Sequence, residues 1–211
     1  MKTEEFIKAL ASDRVLAPPP PRLLARDLGC GAAIALTLFF VVLGLRPDLL
    51  QALTSPRFLL KPILTVSLLL AAIGLLAHLA RPTGRAAGRK RWLLVAPLLL
   101  LAAVVVELVV QPPELWATRA IGHNSLWCLT MIPLLAVVPL ACTLHALRQA
   151  APLRPVLTGA LAGLVAGSLA ATFYAFHCPD DSPLFVAIWY VLALGVVTAA
   201  GAVGGHRLLR W

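Results

Sequence analysis

Apolar residues in this chain gather into six long runs: Leu28 to Leu45, Lys61 to Ala80, Trp92 to Val110, Leu126 to Leu147, Pro155 to Phe176 and Pro183 to Gly205. Between them lie short segments rich in Pro, Arg and Asp. A hydrocarbon core about 30 Å thick takes roughly 20 helical residues to cross, and within it each backbone N–H and C=O must be satisfied inside its own segment. The pattern therefore predicts an all-α, polytopic membrane protein with six transmembrane helices. It divides the chain into an arm at 1–27, a six-helix bundle at 28–206 and a short tail at 207–211.

Charge sets the expected orientation. The chain is 60% hydrophobic with a net charge of +9, and its mean hydropathy is +0.90. In a soluble protein that basic excess would suggest nucleic acid, but here it follows topology and direct nucleic-acid binding is not expected. Lys and Arg collect in cytoplasmic loops, and they crowd the first 26 residues, the segment Arg81 to Arg91, and Arg148, Arg154, Arg207 and Arg210. Only Arg46, Arg57, Lys61 and Arg119 fall on the other side. Both termini are thus expected in the cytoplasm, with the chain crossing the membrane several times. The first 27 residues lack the short apolar core of a cleavable signal, so the first helix is expected to be retained. The outer loops, about 14, 15 and 6 residues long, are too short for a folded domain.

Trp92 and Trp211 at the inner boundary, and Trp116 and Trp127 at the outer one, suit the interfacial belts. Gly159, Gly163 and Gly167 form a small-residue stripe that predicts close helix packing in the fifth span. Pro133 and Pro139 predict a bent fourth span.

Candidate chemistry gathers at the outer end. Following the topology, Glu107, His123, Cys128, His177, Cys178, Asp180 and Asp181 arrive at nominally one depth. A cysteine pair there would meet an oxidising compartment. A protonated His177 would favour the Cys178 thiolate, and Asp180 and Asp181 would oppose it. Cysteine and imidazole also suit soft metals, though no short ligand spacing such as C-x-x-C is present. Three readings stay open: a redox or metal-responsive pair, a static disulfide, and unpaired packing thiols. Transient metal binding is allowed, and no cofactor is required. Glu107, the acidic residue well inside a span, is a functional candidate by default. Cys30 and Cys142, toward the inner ends, read as packing residues, and His78, His145 and His206 as interfacial ones.

At the amino terminus, Thr3, Glu4 and Glu5 look like a helix start, followed by an apolar face of Phe6, Ile7 and Leu10. Pro18, Pro19, Pro20 and Pro21 read as an extended spacer. Such an arm suits docking into a partner's groove. The alternative is a helix lying in the headgroup layer. The Arg81 to Arg91 loop is expected to favour anionic lipid over protein.

Several segments, in order, resemble the NrsF family of integral membrane anti-sigma factors. They are T-E-E-F-I-K-A-L-A at the start, W-C-L-T-M-I-P-L-L at Trp127 to Leu135, L-R-Q-A-A-P at Leu147 to Pro152, F-Y-A-F-H-C-P-D-D-S at Phe173 to Ser182, I-W-Y at Ile188 to Tyr190 and L-L-R-W at Leu208 to Trp211. The resemblance implies a non-enzymatic regulator, multi-pass in the bacterial inner membrane, that sequesters an extracytoplasmic-function sigma factor there and releases it under oxidant or heavy-metal stress. Cys128 and Cys178 correspond to the family's cysteine pair, and the arm with Phe6, Ile7 and Leu10 would hold the partner. A membrane thiol oxidoreductase and a small transporter using Glu107 are the alternatives. The first is disfavoured by the missing C-x-x-C, the second by the lack of matched intramembrane charges and of an inverted repeat.

Overall fold

The computed structural model describes residue 4 and residues 20–79, 90–150 and 152–210. Phe6, Ile7, Leu10, most of the Arg81 to Arg91 loop and Trp211 lie outside the described residues. All regular structure among the described residues is helical: α1 (Pro20–Val42), α2 (Leu49–Ala52), α3 (Pro56–Leu79), α4 (Val95–Val110), α5 (Trp116–Ile121), α6 (Ser125–Arg148), α7 (Pro155–Ala175), α8 (Pro183–Phe185) and α9 (Val191–Leu208). Helices α1, α3, α4, α6 and α7, with α8 and α9 joined through a π turn at Val186–Tyr190, supply six spans long and apolar enough to cross a membrane.

Two boundaries differ from expectation. Helix α1 begins at Pro20, so Pro20 and Pro21 open a helix instead of ending a spacer. Proline is tolerated in a first turn, where its missing N–H has no intrahelical partner to lose and its fixed φ already suits the helix. Helix α3 likewise starts at Pro56, five residues before the apolar run, which places Lys61 inside the helix. The second outer connection is also more ordered than a plain loop, because a 3-10 turn at Pro113–Leu115 leads into α5.

Helix α7 is the centre of the bundle. Buried residues make up 61% of its apolar window, against 33% or less for every other span. Its glycine stripe explains how this is achieved. A Cβ on Gly159 would strike the Gly201 carbonyl and the Gly205 backbone, and one on Gly163 would strike the Val197 carbonyl. Helices α7 and α9 therefore meet backbone to backbone, as small-residue interfaces allow. The same device joins α1 to α6, where a Cβ on Gly31 would lie 2.8 Å from Pro139 Cα. Helix α6 runs through Pro133 and Pro139 without a break in the helix, and the Thr143 hydroxyl donates to the Pro139 carbonyl at 2.6 Å. Large apolar side chains such as Val41, Val109 and Leu126 remain exposed, which is the surface a bilayer would cover.

Candidate functional site at the thiol end of the bundle

The connections 43–55, 111–124 and 176–182 share one end of the bundle, the end expected to face outward. Helix α7 stops at Ala175, and Phe176, His177 and Cys178 turn back on Phe173 and Tyr174 through backbone hydrogen bonds of 3.0–3.1 Å. Helix α6 starts at Ser125, and the Cys128 amide bonds to the Asn124 carbonyl at 2.8 Å. These two turns bring Cys128 and Cys178 into one buried apolar cluster with Tyr174, Phe185 and Tyr190. Both thiols are fully buried. All four cysteines are free thiols.

Over this cluster sits a network of charges. Lys61, with no solvent exposure, places Nζ 2.6 Å from Asp181 Oδ1 and donates to the carbonyls of Cys178 at 2.7 Å and Asp180 at 3.3 Å. Those three partners match the three donors of an ammonium group. Arg46 forks onto Asp48, with Nε and Nη2 each 2.7 Å from a carboxylate oxygen, and its Nη1 reaches Asp181 at 3.0 Å. The Arg46 amide also donates to the Phe176 carbonyl at 3.1 Å. The buried Phe58 ring lies beneath both cations, 5.5 Å from the Arg46 guanidinium and 5.7 Å from Lys61 Nζ, within cation–π range. The Asp48 hydrogen bonds, and then those from Asp181, push the Arg46 guanidinium's pKa upward against its partial burial. The same fork holds the Asp48 carboxyl below its usual range.

The expected site residues divide among separate tasks. Asp181 serves Lys61 and Arg46. Asp180 accepts from the backbone amides of His123 (3.1 Å) and Asn124 (2.8 Å) and from the Asn124 side chain at 3.2 Å. It thereby clips the 176–182 turn to the start of α6. His177 Nδ1 lies 3.1 Å from the Gly44 carbonyl. Because a carbonyl only accepts, Nδ1 carries the proton there. Glu107 is buried between two guanidinium groups, Arg57 at 3.0 Å and Arg119 at 2.9 Å, so it ties α3, α4 and α5 together. Among the described residues, no group of three His, Cys, Asp or Glu side chains stands where it could hold a metal ion.

Burial raises the Cys178 thiol's pKa, and the nearby Lys61 charge only partly offsets this. A thiol above its ordinary range is a weak nucleophile near neutral pH. The arrangement therefore keeps the pair away from water, beneath an ion-paired lid, and burial favours the neutral form of Cys178.

Sequence reasoning missed Lys61, Arg46, Phe58 and the two arginines of Glu107 as parts of this site. A signal was present in the charge count. The four basic residues assigned to the outer side, Arg46, Arg57, Lys61 and Arg119, each form an ion pair with Asp48, Asp181 or Glu107 at that end. At the opposite end, Asp27 on α1 bonds to His145 Nδ1 on α6 at 3.1 Å and to Arg26 at 2.8 Å. Cys30 is exposed and Cys142 half-buried on the same two helices.

Fold and site together define a six-span helical membrane protein whose buried thiol pair lies under a charged lid at one end. Residues 10–211 match the family model described as negative regulator of sigma F, NrsF, and the chain belongs to that family. It is 40% identical over 219 residues to anti-sigma-F factor NrsF of Caulobacter vibrioides, and 33% identical over 217 residues to probable anti-sigma-F factor NrsF of Azospira oryzae. Both alignments cover all of this chain and all of the relative. No solved structure matches.

Proposed function

We propose that this protein is a membrane anti-sigma factor that holds an extracytoplasmic-function sigma factor at the inner membrane and lets it go when Cys128 and Cys178 are oxidised or capture a heavy metal. The sigma partner follows from the full-length relatives, whose names state that role. The observation carrying the sensor is the meeting of two thiols, remote in sequence, in one buried cluster beneath Lys61.

In this reading, the Lys61 and Asp181 ion pair keeps the turn at Cys178 seated. Forming a disulfide or a metal–thiolate bond repacks that turn against the first turn of α6. Helix α6 then carries the change past Pro133 and Pro139 to the cytoplasmic end, where the arm with Phe6, Ile7 and Leu10 and the neighbouring helix ends hold the sigma factor. A tenfold change in sigma affinity requires only about 1.4 kcal/mol between the two states.

The test is co-purification of the detergent-solubilised protein with the sigma factor, using wild type, Cys128→Ser and Cys178→Ser before and after oxidant or cadmium. Release from wild type alone supports thiol control. A sigma factor that never binds overturns the anti-sigma assignment, and equal release from all three proteins overturns the sensor.

A further inference from the structure

Between α3, α4, α7 and α9 lies a partly open pocket of about 550 Å³, within the size range of small-molecule sites. Its lining residues fall within the six spans, the part of the chain a bilayer would surround. Leu64, Leu100, Leu164 and Leu194 form much of the wall, and the π turn adds Val186 and Tyr190. π turns within helices are frequent at functional sites.

Val186 and Tyr190 also belong to the buried cluster that holds Cys128 and Cys178. The Tyr190 hydroxyl is buried without a hydrogen-bond partner. Tyr190 thus belongs both to the pocket wall and to the cluster that encloses the thiol pair. From the water side the thiols have no exposure, and Lys61, Arg46 and Asp181 close the way.

We propose that this pocket receives a quinone from the bilayer and that the quinone is the oxidant of the Cys128 and Cys178 pair, an inference that rests on the thiol-sensing reading above. The oxidant must dissolve in lipid, accept two electrons and offer an acceptor oxygen to the orphan hydroxyl. A quinone meets all three conditions. Displacing the Tyr190 ring joins pocket and thiols. Two S–H bonds then break and one S–S bond forms, and the two protons and two electrons convert the quinone carbonyls to hydroquinone hydroxyls.

The experiment uses reduced full-length protein in nanodiscs of phosphatidylethanolamine and phosphatidylglycerol. Anaerobic decylubiquinone is the probe, water-soluble diamide is the comparison, and disulfide formation is read by a maleimide gel shift. Gly195 lines the pocket, and a Cβ there would meet nothing within 4 Å, so Gly195→Leu fills the space without striking backbone. Ala199→Leu, on the same wall, is the second filler. Expected are one hydroquinone per disulfide in wild type, at least tenfold slower quinone oxidation in both fillers, and a diamide oxidation that is slower than the quinone reaction of wild type, because the water side is closed, and equal in all three proteins. Equal quinone rates in wild type and both fillers overturn the pocket, as does a wild type oxidised by diamide but not by decylubiquinone. Thiols that neither reagent joins overturn both the pocket's role and the pair. Sigma release is scored separately: a quinone-made disulfide without release supports the pocket and overturns the sensing function.

Discussion

Lys61 Nζ and Asp181 Oδ1 lie 2.6 Å apart at the roof of the thiol cluster, and the lysine has no exposure to solvent. A buried ammonium is tolerated only when it is paired and hydrogen-bonded. Here the carbonyls of Cys178 and Asp180 complete its shell. The ion pair therefore fixes the backbone that carries one thiol of the buried pair.

Replacing Lys61 with Ala removes the cation from that shell and leaves the Cys178 carbonyl with only the long 3.5 Å contact from Arg46. Breaking a buried pair costs on the order of 3 kcal/mol. Asp181 keeps Arg46, so the bundle is expected to insert and fold while the turn opens. Alkylation of Cys178 by a maleimide should accelerate at least tenfold over wild type, with exposed Cys30 as the internal reference. An unchanged rate would show that the turn is held by other contacts.

Proton linkage at this end runs in two directions. The Asp48 carboxyl is held low by the Arg46 fork. Its contribution is present above the unfolded carboxyl pKa, about 3.9, and is lost as pH falls through the lower folded value. The Cys178 thiol is raised by burial. Its contribution is present below the unfolded thiol pKa, about 8.5, and is lost as pH rises through the folded value. Thiolate-dependent labelling of Cys178 should therefore lag well behind that of a small-molecule thiol across pH 8 to 9. Rapid labelling there would mean that the thiol is solvated.

Gly122 links the loop after α5 to this site. Its φ of +61° is in the region that favours glycine, and a Cβ would lie 2.5 Å from the Phe185 ring and 2.9 Å from Asp180 Cγ. Gly122→Ala should cost roughly 1–3 kcal/mol in backbone strain, plus displacement of the Asp180 clip. The measurable outcome is a lower thermal midpoint together with faster labelling of Cys128, whose first turn Asp180 anchors. Gly163→Leu should cost more, since its side chain meets the Val197 carbonyl and Thr198 Cα, and loss of folded protein in detergent would register it.

The spans were legible because each is a long apolar run, and the α7 glycine stripe was legible because four-residue spacing is itself a packing signal. Glu107 was visible as an acid inside a span, but its partners Arg57 and Arg119 lie in other segments, and only the tertiary fold brings them to it. Lys61 was hidden for a related reason. Standing at the edge of an apolar run, it read as a flanking charge, whereas α3 begins five residues earlier and carries it inward. The depth shared by Cys128 and Cys178 followed from helix counting. The division of His177, Asp180 and Asp181 among Gly44, the α6 start and the cations depends on side-chain directions that spacing does not fix.

The arm supplies the prediction that separates holding from sensing. Phe6, Ile7 and Leu10 share one face of the helix expected at the amino terminus, so exchanging all three for Ser or Asn removes the apolar surface a partner groove would cover. If the arm holds the sigma factor, the triple variant should lose at least tenfold in sigma retention while inserting normally. Its Cys128 and Cys178 pair should still oxidise at the wild-type rate, because the thiols are enclosed by residues of the bundle. Cys178→Ser should show the opposite behaviour, with sigma retained at rest and no release on oxidation. A triple variant that keeps its sigma factor would move the holding surface to the helix ends opposite the thiol pair. There the pairing of Asp27 with His145 joins α1 to α6, the same helix whose first turn carries Cys128, so that a shift in α6 could reach the sigma factor without the arm.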